Sequence, residues 1–245
     1  MPDTPNKAPT EFALIQLLPN MLTIVAICAG LSAIREGFRG DYATAVLLIL
    51  AAAVLDGLDG RIARLLGSDS AIGAELDSLA DFLNFGVAPA LVLYFWVLQD
   101  LPSVTWLAVL AYAVCCVMRL ARFNVSDKAK EPTADRAYFV GVPAPAGAFL
   151  VMLPMFVSFA FADVPLVPGY VIAVYMVGVG LLMISRIPTW SFKKTKVSRH
   201  NVKFFLVGFA VLSAALLIEP WVSLVVICLA YIGMVIWALL DRRTR

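Results

Sequence analysis

The chain has 245 residues, 62% of them hydrophobic and only 15% charged, with a formal net charge of +2. A soluble domain of this length is about half apolar and about a quarter charged. Composition therefore excludes an ordinary water-soluble globule, and the gathering of the apolar residues into long runs points to a membrane protein.

The four cysteines, Cys28, Cys115, Cys116 and Cys228, all lie inside apolar runs without C-x-x-C spacing. They read as packing residues, not as a disulfide framework or a zinc site. Residues 1–13 are polar, with Pro2, Pro5 and Pro9, and read as a cytoplasmic tail. Only Lys7 precedes the first apolar run and no small-residue cleavage site follows it, so that run is expected to stay as a helix.

A helix needs about 20 apolar residues to cross a bilayer. Windows of that kind fall near 14–34, 42–65, 72–98, 103–123, 143–162, 166–185, 203–218 and 221–240. The expected fold is an all-α integral membrane bundle of about eight transmembrane helices. Residues 14–200 form its core, and 201–245 a C-terminal helical pair with a basic tail. With the N-terminus inside, every Lys and Arg except Arg35 and Arg39 falls on the inner side. That bias predicts cytoplasmic termini and an even span count.

The junction of the second and third spans carries the chemistry. Asp56 and Asp59 are three apart, and Asp77 and Asp81 four apart, so each pair shares one helix face. Consecutive spans are antiparallel, which lets the pairs meet at one membrane depth. Four neighbouring carboxylates repel and resist desolvation. A hard divalent cation, Mg²⁺ or Mn²⁺, offsets both costs and bridges carboxylates to phosphate. Two such ions can clamp a phosphoryl group during in-line displacement. Gly60, Ala63 and Gly73 leave room for a ligand or a neighbouring helix, and Arg64 offers a planar fork of donors to phosphate.

At the end of the fourth span Arg119 and Arg122 are three apart, with Asn124 beyond them. Either arginine suits a carboxylate; equally, the pair suits an interfacial anchor. The basic run from Arg186 to Lys203 suits anionic headgroups better than nucleic acid.

These residues also carry a resemblance. Asp56, Asp59, Gly60, Ala63, Arg64, Gly73, Asp77 and Asp81 fill every fixed position of D-x-x-D-G-x-x-A-R, eight residues, G-x-x-x-D-x-x-x-D. This resembles the signature of the CDP-alcohol phosphatidyltransferase family. The resemblance implies an enzyme that displaces CMP from a CDP-linked lipid with an alcohol. It implies metal ligation by Asp56, Asp59 and Asp77, with Asp81 a fourth ligand or the general base. It implies CDP-lipid contacts at Asp56, Gly60, Ala63, Arg64 and Gly73.

Phe82 to Ala90, Arg119 to Asn124 with Phe139 to Pro145, and Ser185 to Lys194 are similar to the serine-accepting branch. The glycerol-phosphate branch usually has Lys where this chain has Phe82. The implied reaction joins L-serine to CDP-diacylglycerol, with two Mg²⁺ or Mn²⁺ ions and Arg119, Arg122 and Asn124 as candidate serine contacts. The implied setting is the cytoplasmic face of a bacterial inner membrane, among membrane lipids and without nucleic acid; a homodimer is left open. The rival readings are another acceptor (glycerol 3-phosphate, inositol phosphate or choline) and a transporter using the intramembrane acids.

Overall fold

The computed structural model describes residues 17–68, 70–100, 102–128, 138–161, 167–185, 188–190 and 202–243. The polar N-terminal tail and most of the basic run from Arg186 to Lys203 lie outside them.

Local chemistry sets the first helix boundaries. Helix α1 (Leu18–Arg39) opens on Pro19 and ends at Gly40 in the left-handed region. Helix α2 (Tyr42–Leu66) is capped by Asp41, whose carboxylate accepts the Thr44 N–H at 3.1 Å. Hydrogen bonds from the Thr44 side chain and backbone hold the Asp41 carboxyl below the usual carboxylate range. Helix α3 (Ala71–Asp81) is capped by Ser70, whose hydroxyl accepts the Gly73 N–H at 2.9 Å. Arg35 and Glu36 do not stop α1, so it runs five residues past the expected end at 34. Salt bridges from Arg35 and Arg39 to Glu36, at 3.5 and 3.4 Å, hold these charges together at that end.

Two prolines interrupt what the hydropathy pattern presents as plain helix. After α3 the chain passes through a π-helical turn (Phe82–Val87) into α4 (Ala88–Val97). Pro89 has no N–H to return to the Phe85 carbonyl. The Tyr112 hydroxyl, from α5 (Pro102–Lys128), donates to that carbonyl instead, at 2.9 Å. The same repair recurs where α6 (Ala144–Val151) meets α7 (Leu153–Ala160). There Pro154 cannot serve the Leu150 carbonyl, and the Tyr175 hydroxyl of α8 (Gly169–Ile184) donates to it at 2.6 Å. Each bond satisfies a buried acceptor where neither lipid nor water could.

Helices α9 (Val202–Ile218) and α10 (Pro220–Arg243) follow, separated by Glu219. One departure from an all-α pattern exists among the described residues. Strands β1 (Tyr138–Val140) and β2 (Pro188–Trp190) pair antiparallel, with Phe139 opposite Thr189. Three residues per strand are too few to leave a period-2 signal in the sequence.

Among the described residues, five helical stretches are long and apolar enough to cross a membrane: Leu18–Arg39, Tyr42–Leu66, Ala71–Val97, Pro102–Val125 and Pro220–Ala238. Gly169–Ile184 and Leu206–Ile218 are apolar but shorter. Small residues form the packed faces; α1 buries Ala26, Gly30, Ala33 and Gly37 against its neighbours. Large apolar side chains such as Met21, Ile24, Leu47 and Val54 point outward. Helix α1 packs along α2, α5 along α8, and α10 on α7 and α9.

Candidate active site

Asp56 and Asp59 sit in the last turns of α2, and Asp77 and Asp81 lie on α3. The short connection through Gly67 to Ser70 folds α3 back, so the two pairs meet at one end of the bundle. The Asp56 and Asp81 carboxyl groups stand within electrostatic reach of each other. Asp77 stands within electrostatic reach of Asp56, Asp59 and Arg64. Asp59 is only 3% exposed. Its Oδ2 lies 2.6 Å from the Thr23 hydroxyl of α1, which is also 3.1 Å from the Pro19 carbonyl oxygen.

This constellation fits a cation. Neighbouring carboxyl groups repel unless a proton or cation lies between them. Asp56 Oδ1 and Asp59 Oδ1 are both buried without a hydrogen-bond partner among the described residues, and an orphaned carboxylate oxygen is what a hard ion coordinates. No three acidic, histidine or cysteine side chains among those residues close into a metal-binding group by themselves. The acids are gathered, not drawn into a closed cage.

The small residues of the motif divide into two kinds. Gly60 is open: a Cβ there would meet only Arg64 Nη1, at 3.7 Å. Ala63 is half-buried and Arg64 exposed beside it. Gly73 is closed: a Cβ would stand 2.9 Å from Asn20 Oδ1 and 3.0 Å from Ser70 Oγ. Its missing side chain lets α3 approach the first turn of α1.

The three candidate serine contacts separate in the same way. Arg119 is half-buried, and its Nε–H donates to the Val142 carbonyl at 2.6 Å. It faces Asp81, Cys116 and Tyr231 electrostatically. Arg122 is exposed and donates through Nη1 to the Ile184 carbonyl at the end of α8, at 2.9 Å. Asn124 donates through Nδ2 to Ser78 Oγ at 2.9 Å, tying α5 to α3. Arg119 interacts electrostatically with Asp81.

Sequence reasoning passed over four residues here: Asn20, Thr23, Asn84 and Tyr231. Thr23 is 36 positions from its partner Asp59, so no local spacing reveals the pair. The available signal was a polar residue inside an apolar run. Asn84, on the π-helical turn, is fully buried against Gly30, with neither amide atom hydrogen-bonded among the described residues.

Residues 16–184 match the family model described as CDP-alcohol phosphatidyltransferase. Residues 202–235 match a second, described as CDP-alcohol phosphatidyltransferase 2. The chain is 42% identical to the CDP-diacylglycerol–serine O-phosphatidyltransferase of Mycobacterium leprae, over 94% of this chain and 76% of that protein. It is 33% identical to the protein of the same name from Helicobacter pylori, over 92% and 93%. The Bacillus subtilis protein of that name is 38% identical, over 72% of this chain and 92% of its own length.

Proposed function

The chain belongs to the CDP-alcohol phosphatidyltransferase family, and from that membership we propose that it transfers the phosphatidyl group of CDP-diacylglycerol to L-serine. The products are phosphatidylserine and CMP. The chain is a multi-pass integral membrane enzyme. The observation that carries the reading is the meeting of both Asp pairs at one end of the bundle, in a chain whose relatives are named for this reaction.

Asp56, Asp59 and Asp77 would hold the divalent ions, Mg²⁺ or Mn²⁺, with Asp81 beside them. Bound there, the ions supply Lewis-acid stabilisation of the pyrophosphate and of the departing phosphate. The orphaned oxygens of Asp56 and Asp59 support that role. Thr23 fixes one oxygen of Asp59 and leaves the other for the ion. The open face at Gly60 and Ala63 receives the cytidine diphosphate moiety, and Arg64 reaches its phosphates. Gly73 contributes by seating α3 against α1.

Arg119 holds the serine carboxylate, which places the serine hydroxyl toward Asp81. Asp81 accepts the hydroxyl proton as the serine oxygen bonds the diacylglycerol-linked phosphorus. The bond from that phosphorus to the oxygen of CMP breaks, and CMP leaves. Arg122 and Asn124 act on architecture instead, capping α8 and tying α5 to α3.

The proposed topology has eight crossings, with α6 and α7 together making one. The site faces the cytoplasm, where serine and the basic residues are, in a bacterial inner membrane.

Purified protein with CDP-diacylglycerol, Mg²⁺ or Mn²⁺ and a panel of alcohols tests the reaction. Phosphatidylserine and CMP should appear together, and EDTA should stop both. Arg119→Ala should raise the serine KM roughly 10- to 150-fold, the value of a hydrogen bond to a charged group. The donor KM should hardly change. Preference for glycerol 3-phosphate would overturn the acceptor assignment, and flux without CMP release would favour a transporter.

A further inference from the structure

Arg119 is held at one nitrogen only. Its Nε–H bonds the Val142 carbonyl, and among the described residues its two terminal nitrogens bond nothing. Tyr231 of α10 stands within electrostatic reach of this guanidinium. The Tyr231 hydroxyl is shut off from solvent and has no hydrogen-bond partner among the described residues. Helix α10 reaches this point by packing on α7 and beside β2, the strand paired with β1 just ahead of Val142. Asp81 also lies within electrostatic reach of Arg119. Asp81 and Tyr231, from two other helices, are thus both within electrostatic reach of the Arg119 guanidinium.

A buried hydroxyl without a partner costs stability and calls for an explanation. A bound molecule that completes the hydrogen bond supplies one. Beside a cation, a phenol orients its oxygen toward the positive charge and its hydrogen away. It is then a donor aimed at an anionic group that the same cation attracts.

We propose that Tyr231 is a specificity-determining residue of the acceptor site, donating its hydroxyl hydrogen to the carboxylate that the free nitrogens of Arg119 hold. The inference rests on the serine reading and extends it: the C-terminal helical pair contributes to acceptor choice. An alcohol without a carboxylate gives this phenol nothing to bond, so the hydroxyl stays unpaired and that alcohol is disfavoured.

The test compares Tyr231→Phe with the wild type in the purified enzyme with CDP-diacylglycerol and Mg²⁺ or Mn²⁺. L-Serine and ethanolamine, which is serine without its carboxylate, are the acceptors. Tyr231→Phe should raise the serine KM about 10-fold or more. It should leave the donor KM and the weak use of ethanolamine unchanged, so selectivity for serine falls by the same factor. Its thermal midpoint in detergent without serine should equal or exceed that of the wild type, because the lost hydroxyl has no partner. The upward shift produced by saturating serine should shrink.

A wild-type serine KM in Tyr231→Phe overturns this inference and leaves the serine reading intact. Failure of Tyr231→Phe to fold also overturns it, since the hydroxyl is then structural. A wild type that rejects serine removes the parent reading instead.

Discussion

At the scale of single residues, Asp59 shows how the site divides labour within one carboxylate. One oxygen is bound by Thr23 and the other is buried and free. Substituting asparagine for Asp56, Asp59 or Asp77 keeps the shape and removes the charge a divalent ion needs. Turnover should fall by roughly 100-fold or more in each variant, measured as CMP release from folded protein at saturating Mg²⁺. Wild-type rates in chelator would sink the two-ion account. Thr23→Val probes the layer behind. It keeps the bulk of the side chain but leaves Asp59 Oδ2 unsupported. Activity should drop about 10-fold, with more metal needed for half-maximal rate. A stability loss without a change in metal requirement would make Thr23 a packing residue only. The acids were legible in the sequence because helical spacing places each pair by arithmetic. Thr23 and Tyr231 were not, because their partners come from other helices and only the folded packing brings them near.

At the scale of elements, the hydropathy pattern located the helices and missed their defects. The windows at 42–65 and 72–98 match Tyr42–Leu66 and Ala71–Val97 closely. Nothing in their hydropathy marks the π-helical turn, since Pro89 alters hydrogen bonding and not polarity. The same holds at Pro154, where one expected helix becomes α6 and α7. Gly141 matters more than its size suggests. It adopts φ 84° between β1 and α6, and a Cβ there would stand 2.5 Å from the Met183 carbonyl oxygen and 2.8 Å from that of Ser185. Those neighbours are backbone and cannot turn aside. Gly141→Ala therefore combines a left-handed penalty of roughly 1–2 kcal/mol with an overpacking cost of about 1–3 kcal/mol. The adjacent Val142 carbonyl holds Arg119, so the damage should reach the acceptor site. The expected result is a lower thermal midpoint in detergent together with a raised serine KM. A variant that loses neither would show that this elbow has room to move.

For the whole molecule, the question is how the helices cross. Contacts at the two ends of the bundle constrain the answer. Arg122 near the end of α5 bonds Ile184 at the end of α8, so both helices finish at the same face as the carboxylates. At the opposite face, the Tyr42 hydroxyl at the start of α2 bonds the Phe95 carbonyl at 2.9 Å. A Cβ on Gly169, at the start of α8, would stand 2.6 Å from the Val97 carbonyl oxygen. On the proposed topology the chain returns from the site face to the far face between α5 and α8, through α6 and α7. Helix α8 has 16 residues, which is about 24 Å of helix against roughly 30 Å of hydrocarbon. On the proposed topology it crosses with help from its flanks or from local thinning. On the same topology, α9 and α10, joined at Glu219, make a final hairpin in which α10 ends on the site face. In a variant without native cysteines, Asp100→Cys and Glu219→Cys should react with an impermeant maleimide from outside intact cells. Lys194→Cys and Arg245→Cys, at positions outside the described residues, should react only after permeabilisation. Glu219→Cys silent from outside but reactive within would make α9 and α10 a hairpin that dips into the inner leaflet, reducing the crossings to six. Lys194→Cys reactive from outside would put the site on the wrong face and overturn the cytoplasmic assignment.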